Sequence, residues 1–227
     1  MNLLAIETSA DFCSVAALRG ETMSFRHEQA GQRQAEMILG MVDAVLAEAR
    51  LAFEDVGGIA YGAGPGSFTG LRIACGVTQG LALSRGIPVV GVGTLLALAE
   101  EAAEEESGDR FVACLDAHMG EVYHAAYRKS RAGWEEVSAP GIHRPETVPA
   151  VPGDGWVGCG NGFAVLDGRV AARYGARLSV VRPGLLPTAR AVLRIAAPRF
   201  AAGEAMDAAA AVPIYLRDKV ALKTSER

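Results

Sequence analysis

The chain has 227 residues, of which 50% are hydrophobic and 21% are charged, and this composition excludes a disordered chain. It is long enough to bury the core of one large domain or of two small ones. The formal net charge of −4, without any run of basic residues, excludes a protein that holds nucleic acid by its own charge, and no apolar run approaches the roughly 20 residues of a membrane-spanning helix.

The first residues and the cysteines indicate the compartment. The stretch MNLLAIETSAD lacks the basic leader of a signal peptide and predicts a first strand. Cys13, Cys75, Cys114 and Cys159 are far apart, form no CxxC pair, and lie in or beside apolar segments. We therefore expect reduced, mostly buried thiols in a cytoplasmic protein.

The spacing of apolar residues changes within the first hundred residues from a strand pattern to a helical one. Three short segments separated by tight turns predict an antiparallel meander, and helical spacing of apolar residues then follows. Two more strands alternate with helices, and the charged run EEAAEEE predicts a solvated helix end at a domain boundary. The predicted strands are 3–6, 13–18, 21–28, 57–61 and 89–92, and the predicted helices are 32–50, 70–85 and one capped by Thr94.

The second half begins as a faint repeat of the first. Strands are predicted at 111–116 and 121–127, and the first of them ends in Asp116 as the N-terminal strand ends in Glu7. Residues 140–162 are rich in glycine and proline, and a helix is predicted at 188–200. We expect an α/β protein of two duplicated subdomains, 1–106 and a smaller one at 107–205, with a C-terminal segment, 206–227, that packs back on the core. Mixed sheets with antiparallel edges, covered by helices, would give the architecture shared by actin and sugar kinases.

The glycine-rich stretch YGAGPGSFTGLR, residues 61–72, has two interpretations. A helix N-terminus that follows a glycine loop can bind phosphate, but this loop lacks the Lys-Ser/Thr pair of a Walker A motif. Alternatively, Ser67 or Thr69 caps the helix and the glycines only permit close packing. The packing role is the preferred interpretation.

Two helices carry a second apolar stripe each. Gly76 and Gly80 lie on one face of the helix at 70–85, although glycine inside a helix costs about 1 kcal/mol relative to alanine. Close packing against a neighbouring helix or a partner protein would explain them. On the helix at 32–50, one face can cover the sheet with Ile38, Leu39, Val42, Val45, Leu46 and Ala49. The predicted partner surface consists of Met37, Met41, Ala44, Ile73, Gly76, Val77, Gly80 and Leu83, and the alternative is that both stripes are core.

Catalytic and metal-binding patterns are weak. No serine stands in a GxSxG motif, and the four histidines show no ligand spacing, so we predict no catalytic residue and no metal ligand. Each histidine is interpreted as a polar edge residue or as one that borders the core. Glu7 and Asp116 could hold hydrated magnesium across a cleft, or each could hydrogen-bond its own turn.

Four segments in order resemble the TsaB (YeaZ) family: LLAIETS, YGAGPGSFTGLRIACGVTQGLALSRGIPVVGVGTL, LDAHMGEVYHAAY and PIYLR. The resemblance implies the actin-like ATPase fold, which is also ribonuclease H-like (the ASKHA class). It implies a non-catalytic scaffold and activator subunit of the bacterial complex that transfers a threonylcarbamoyl group to adenosine in tRNA. Its partners would be TsaD, of which it is a paralogue, and TsaE. The His-x-x-x-His pair of TsaD-like proteins is absent from the matching stretch, GQRQAEMI.

The resemblance also implies a homodimer through the same helices, tRNA contact only through the complex, and no membrane contact. We expect no cofactor to be bound tightly by this chain alone, with ATP or ADP at the interface of the complex. The residues predicted to contact a nucleotide or phosphate are Glu7, Thr8, Ser9, Gly64, Gly66, Ser67, Thr69 and Asp116. Two rival functions remain open, an ATP-dependent phosphotransferase of the sugar-kinase type and a metalloprotease-like enzyme.

Overall fold

The computed structural model describes residues 1–217, which form two five-stranded sheets and five α-helices. The first sheet contains β1 (Asn2–Glu7), β2 (Phe12–Arg19), β3 (Thr22–Gln29), β4 (Gly58–Gly64) and β5 (Val89–Gly93). The second contains β6 (Arg110–Asp116), β7 (Val122–Ser130), β8 (Gly133–His143), β9 (Trp156–Cys159) and β10 (Leu178–Arg182). The helices are α1 (Gln34–Glu48), α2 (Phe68–Leu83), α3 (Thr94–Glu105), α4 (Arg169–Tyr174) and α5 (Ala189–Ala201).

The two sheets have the same topology. The first has the order β3-β2-β1-β4-β5, and the second, read from its antiparallel edge, has the order β8-β7-β6-β9-β10. In each sheet three antiparallel strands are followed by two strands that pair in parallel. This confirms the predicted duplication and the actin-like fold, and Glu7 and Asp116 end equivalent strands, β1 and β6.

The central strand β1 explains the continuous apolar run near the N-terminus. Leu3, Leu4, Ala5 and Ile6 are all fully buried. Because side chains alternate along a strand, Leu4 and Ile6 pack under α1 and α2, while Leu3 and Ala5 pack under α5 on the other face. Both faces of the first sheet are therefore covered.

Helix α5 lies on the first sheet, although the sequence division placed its residues in the second subdomain. Thr188 is its N-cap and accepts a hydrogen bond from the N–H of Ala191. The adjacent glutamates of α3 connect the halves. Glu100 binds Lys129 and the indole of Trp134 in the second half, whereas Glu101 binds Thr188 and Arg190 at the start of α5.

Most predicted elements differ from the observed ones by one to three residues at their ends. Thr94 is not a cap but the first residue of α3: Gly93 occupies the cap position, and the Thr94 hydroxyl donates to the carbonyl of Pro65. The pattern of the sequence did not predict β8, β9, β10 or α4. All four cysteines are buried and unpaired, as predicted.

The chain returns to the first sheet after α5. Met206 forms a backbone bridge with Val89, Ala208 and Ala211 join the core under α1 and α2, and the N–H of Ile214 donates to Ala63. Of the predicted C-terminal segment 206–227, residues 218–227 lie outside the described part of the chain. None of the helices within residues 1–217 is long and apolar enough to cross a membrane.

Candidate functional site

The glycines of the loop between β4 and α2 are in contact with other parts of the same chain. A Cβ at Gly62 would overlap the carboxylate of Glu7, one at Gly70 would overlap the carbonyl of Thr8, and one at Gly66 would lie 2.6 Å from Ser9. These neighbours fill the space that side chains would need, so close packing explains why glycine occupies these three positions.

The fourth loop glycine, Gly64, has a φ of 125° and leaves no room for a side chain, because a Cβ there would overlap the carbonyl of Ile214. The C-terminal segment, and not only the β1–β2 turn, therefore shapes this loop. At the start of α2, Ser67 is the N-cap and accepts from the N–H of Gly70 at 3.4 Å, and Thr69 is exposed.

Glu7 is a buried carboxyl with one unsatisfied oxygen. Its Oε1 accepts a 2.5 Å hydrogen bond from the N–H of Ser9, whereas its Oε2 has no hydrogen-bond partner in the described structure. Burial, the larger effect, raises the pKa of Glu7 from 4.5 to about 7 although the Ser9 hydrogen bond lowers it. The folded chain therefore holds this proton to a higher pH than an exposed glutamate would.

Asp116 makes the matching contact in the second half. Its Oδ1 accepts from the N–H of His118 at 2.8 Å, two residues along, as Glu7 accepts from Ser9. The N–H of Asp116 donates to the side chain of Asn161 at 2.9 Å. Both acids thus hydrogen-bond their own turns. Within residues 1–217 no three His, Cys, Asp or Glu side chains converge as metal ligands would.

A cavity of about 530 Å³ lies in the cleft between the two halves, and the β1–β2 and β6–β7 turns line it. Of the residues predicted to contact a nucleotide, Ser9, Gly66, Ser67 and Asp116 line this cavity. Four predicted residues do not belong to its lining: Glu7, Thr8 and Gly64, which are buried, and Thr69, which is exposed.

Sequence reasoning missed several residues of the cleft. Asp11 and Asn161 follow strands β1 and β9, and Tyr215 and Arg217 come from the C-terminal segment. The polar residues after strand ends were a usable signal, since such residues meet at one edge of a sheet. The segment PIYLR marked Tyr215 and Arg217 only as part of a family resemblance, and their place in the cleft depends on contacts with residues about 140 and 100 positions earlier.

The outer face of α1 and α2 retains most of the predicted partner surface. Met37, Ala44, Ile73 and Val77 are half-buried, and Leu83 is 58% exposed. Gly76 and Gly80 are exposed, and a Cβ at either would meet no atom of the described chain within 4 Å. A neighbouring helix therefore does not explain these glycines.

Two positions on α1 are corrected by the structure. Met41 is only 5% exposed and packs in the core under α1 and α2, so it does not belong to the outer surface. Leu39, predicted to cover the sheet, is 53% exposed. The predicted stripe was rotated by about one residue relative to the observed one. Gly40, next to Leu39, is also exposed and open to solvent.

The histidines of the two sheets pack as core or edge residues. His124 is fully buried, hydrogen-bonds Tyr174 at 2.6 Å, and has its pKa lowered to about 3, first by burial and then by the neighbouring His143. His27 stacks on Phe12 with ring centroids 4.5 Å apart, and burial lowers its pKa.

Comparisons with known proteins agree with this geometry. Residues 25–155 match the family model described as TsaD, tRNA N6-adenosine threonylcarbamoyltransferase. The solved structure of YeaZ from Pseudomonas aeruginosa superposes with a TM-score of 0.88 at 38% identity, over 95% of this chain and 99% of that one. The Escherichia coli protein named "tRNA threonylcarbamoyladenosine biosynthesis protein TsaB" is 35% identical over 98% of this chain and 97% of its own length.

The duplicated actin-like fold and the match to the TsaD family model place the chain in a broad class, the proteins related to TsaD. The Tropheryma whipplei protein named "tRNA N6-adenosine threonylcarbamoyltransferase" is 34% identical over 41% of this chain but only 27% of its own length. The full-length matches are more specific. The chain belongs to the TsaB (YeaZ) family of tRNA threonylcarbamoyladenosine biosynthesis proteins.

Proposed function

We propose that this protein is a non-catalytic subunit that binds TsaD through the outer face of α1 and α2 and supports threonylcarbamoyl transfer to tRNA. The observation that carries the proposal is the pair Gly76 and Gly80. Both lie inside a helix, both are exposed, and no atom of the described chain approaches their Cβ positions. Each costs about 1 kcal/mol of helix stability relative to alanine, without any internal packing that would offset this cost.

The chemistry around the glycines suits another protein. Between Ile73 and Leu83, α2 carries no charged residue, and α1 presents Leu39 and Gly40 to solvent. Glycine allows a second backbone to approach closely, and exposed apolar residues beside it provide the area that such a contact buries. A helix or helix pair of the partner is the occupant that the uncharged face of α2 fits, with Glu36 and Asp43 of α1 exposed at its border. A second copy of this chain offers the same chemistry.

Supporting the reaction requires a difference in affinity between states of the partner. A subunit that bound active and inactive TsaD equally would change neither population. We therefore infer that the α1–α2 face binds the active arrangement of TsaD better, with TsaE joining the pair and with tRNA held by the complex rather than by this acidic chain.

ATP or ADP is proposed for the assembled complex, close to the cleft. Ser9 supports this placement, since its buried hydroxyl has no hydrogen-bond partner in the described structure and the residue lines the cavity together with Ser67, the N-cap of α2. The N-terminus of a long helix favours anions. A nucleotide titration of the isolated chain should give weak or no binding, and submicromolar affinity with turnover would instead favour the phosphotransferase.

Calorimetry with purified TsaD tests the docking face. We expect Gly76→Leu and Leu83→Glu each to weaken association at least tenfold, because both alter exposed positions without touching the core. Ala172→Glu is the matched control, since Ala172 is exposed on α4 of the second half and does not line the cleft. Equal affinity of all three variants and the unmodified chain would refute this face as the contact.

A further inference from the structure

The residues from Val212 to Arg217, called the strap below, connect the two halves of the molecule. The strap is bound to the first half through its backbone and through Tyr215, whose hydroxyl accepts from Arg72 at 3.0 Å and whose ring lies 5.5 Å from that of Phe68. The hydroxyl of Tyr61 accepts from the N–H of Val212 at 3.0 Å and donates to its carbonyl at 3.1 Å. The N–H of Ile214 donates to the carbonyl of Ala63 at 2.6 Å. These contacts lie directly beside the glycine-rich loop.

The last residue of the strap is bound to the second half. The guanidinium of Arg217 donates to Glu121 Oε2 at 2.7 Å and to the carbonyl of Ala117 at 3.0 Å. Both acceptors belong to the β6–β7 turn, where His118 and Met119 have φ values of 60° and 56°. Two consecutive non-glycine residues in the left-handed region are strained, so the turn depends on neighbours such as Arg217 to hold it.

The strap is attached by hydrogen bonds much more than by burial. Val212, Ile214 and Tyr215 are 62%, 46% and 42% exposed. By contrast, the other connection between the halves runs through α3, whose Glu101 is 2% exposed and binds Thr188 and Arg190. A segment with few buried apolar contacts opens locally at much lower cost than the fold as a whole.

We propose that the strap is a releasable closure of the cleft. Ile214, Tyr215, Leu216 and Arg217 line the 530 Å³ cavity together with the turns of both halves. In the closed state the strap covers the cavity and joins the first half to the β6–β7 turn. Release of the strap opens the cavity, while the connection through α3 stays intact. The two attachments are coupled, so weakening one of them loosens the other.

Hydrogen exchange of the isolated full-length chain, followed by NMR, tests this closure directly. The amides of Val212 and Ile214 donate their hydrogen bonds only when the strap is docked. In Arg217→Ala we expect both amides to exchange at least tenfold faster, while amides in the central strand β1 keep their rates. Arg169→Ala is the matched control, because Arg169 forms a 2.7 Å ion pair with Glu146 on the surface of the second half, away from the strap.

A second variant perturbs the other attachment. Tyr61→Phe removes both hydrogen bonds to Val212 without changing the shape of the buried ring. We expect faster exchange at Val212 and also at Glu121, whose N–H closes the β6–β7 turn onto His118. Faster exchange at Val212 with no change at Glu121 would show that the two attachments are independent and would overturn the coupling.

Dye binding measures the opening of the cavity independently of hydrogen exchange. The apolar dye 1-anilinonaphthalene-8-sulfonate should bind Arg217→Ala at least threefold more tightly than the unmodified chain, because Phe12, Leu71 and Leu115 line the cleft. Unchanged dye binding, unchanged exchange at Val212 and Ile214, or equal acceleration of the β1 amides would each overturn the closure. The experiment uses no partner protein, so its outcome is independent of whether the α1–α2 face binds TsaD.

Discussion

Replacing Glu7 by glutamine should stabilise the protein, and the effect should grow with pH. The carboxyl has an ordinary pKa of 4.5 and a pKa of about 7 in the folded chain, where burial dominates. A raised pKa means that the folded state holds the proton more tightly than the unfolded state does. The resulting stabilisation is fully present below pH 4.5 and is lost as the pH rises through 7.

The magnitude follows from the two pKa values. At 1.36 kcal/mol per pH unit, the difference between 4.5 and about 7 corresponds to a loss of about 3 kcal/mol at pH 8. At pH 5 most of the stabilisation remains, so the difference in unfolding free energy between Glu7→Gln and the unmodified chain should increase by about 2–3 kcal/mol from pH 5 to pH 8. Glutamine can still accept the hydrogen bond from Ser9.

Urea denaturation at several pH values measures this difference, since other titrating groups cancel between the two proteins. Glu54→Gln, at an exposed position, controls for the loss of one negative charge. A difference that stays flat between pH 5 and pH 8 would refute the argument that burial controls Glu7. A glutamine variant that becomes less stable at pH 8 would show that the ionised carboxylate has a favourable partner.

Three further tests use substitutions in other parts of the structure. Gly76→Ala combined with Gly80→Ala should raise the stability of the isolated chain by up to about 2 kcal/mol and its melting temperature by several degrees, while weakening TsaD binding. Thermal melts measure the stability and calorimetry measures the binding. Tighter binding would contradict the docking face. Thr188→Ala removes both the α5 cap and the hydroxyl bonded to Glu101. We therefore expect the free energy of unfolding in urea to fall by about 2 kcal/mol. A decrease under about 0.5 kcal/mol would show that neither contact stabilises the fold. Ile38→Ala should cost about 2–5 kcal/mol because Ile38 is 1% exposed. Leu39→Ala should cost under about 0.5 kcal/mol yet reduce partner affinity, and a loss of stability as large as that of Ile38→Ala would reinstate the predicted helix face.

The sequence was informative where a local pattern determines structure. The sequence predicted the meander, α1, α2 and the duplication correctly. Each of these strands and helices buries a regular set of apolar residues, as β1 does with Leu3 to Ile6. The sequence did not predict strands β9 and β10, because they are only four and five residues long and are flanked by glycines and prolines. Short strands carry too few alternations to be distinguished from loops.

Contacts between distant segments limited the prediction of the site. The sequence showed that the loop glycines permit close approach, but only the fold shows that Thr8, Ser9 and Ile214 are the groups that approach them. Similarly, spacing alone defines a helix face to within about one residue, because neighbouring positions differ by 100° around the axis. That uncertainty is enough to exchange Met41 and Leu39 between the core and the surface.

The duplication of the fold is incomplete in a way that limits how the molecule can assemble. Between β8 and β9 there is no α-helix in the position that α1 holds in the first half, and α4, the counterpart of α2, is only six residues long. Within residues 1–217, therefore, a layer of two long helices covers the first half and has no counterpart in the second. If self-association and binding to TsaD both use that layer, the two complexes exclude each other. The apparent affinity for TsaD would then fall as the concentration of this chain rises, since each homodimer withdraws two binding surfaces from the heterologous equilibrium.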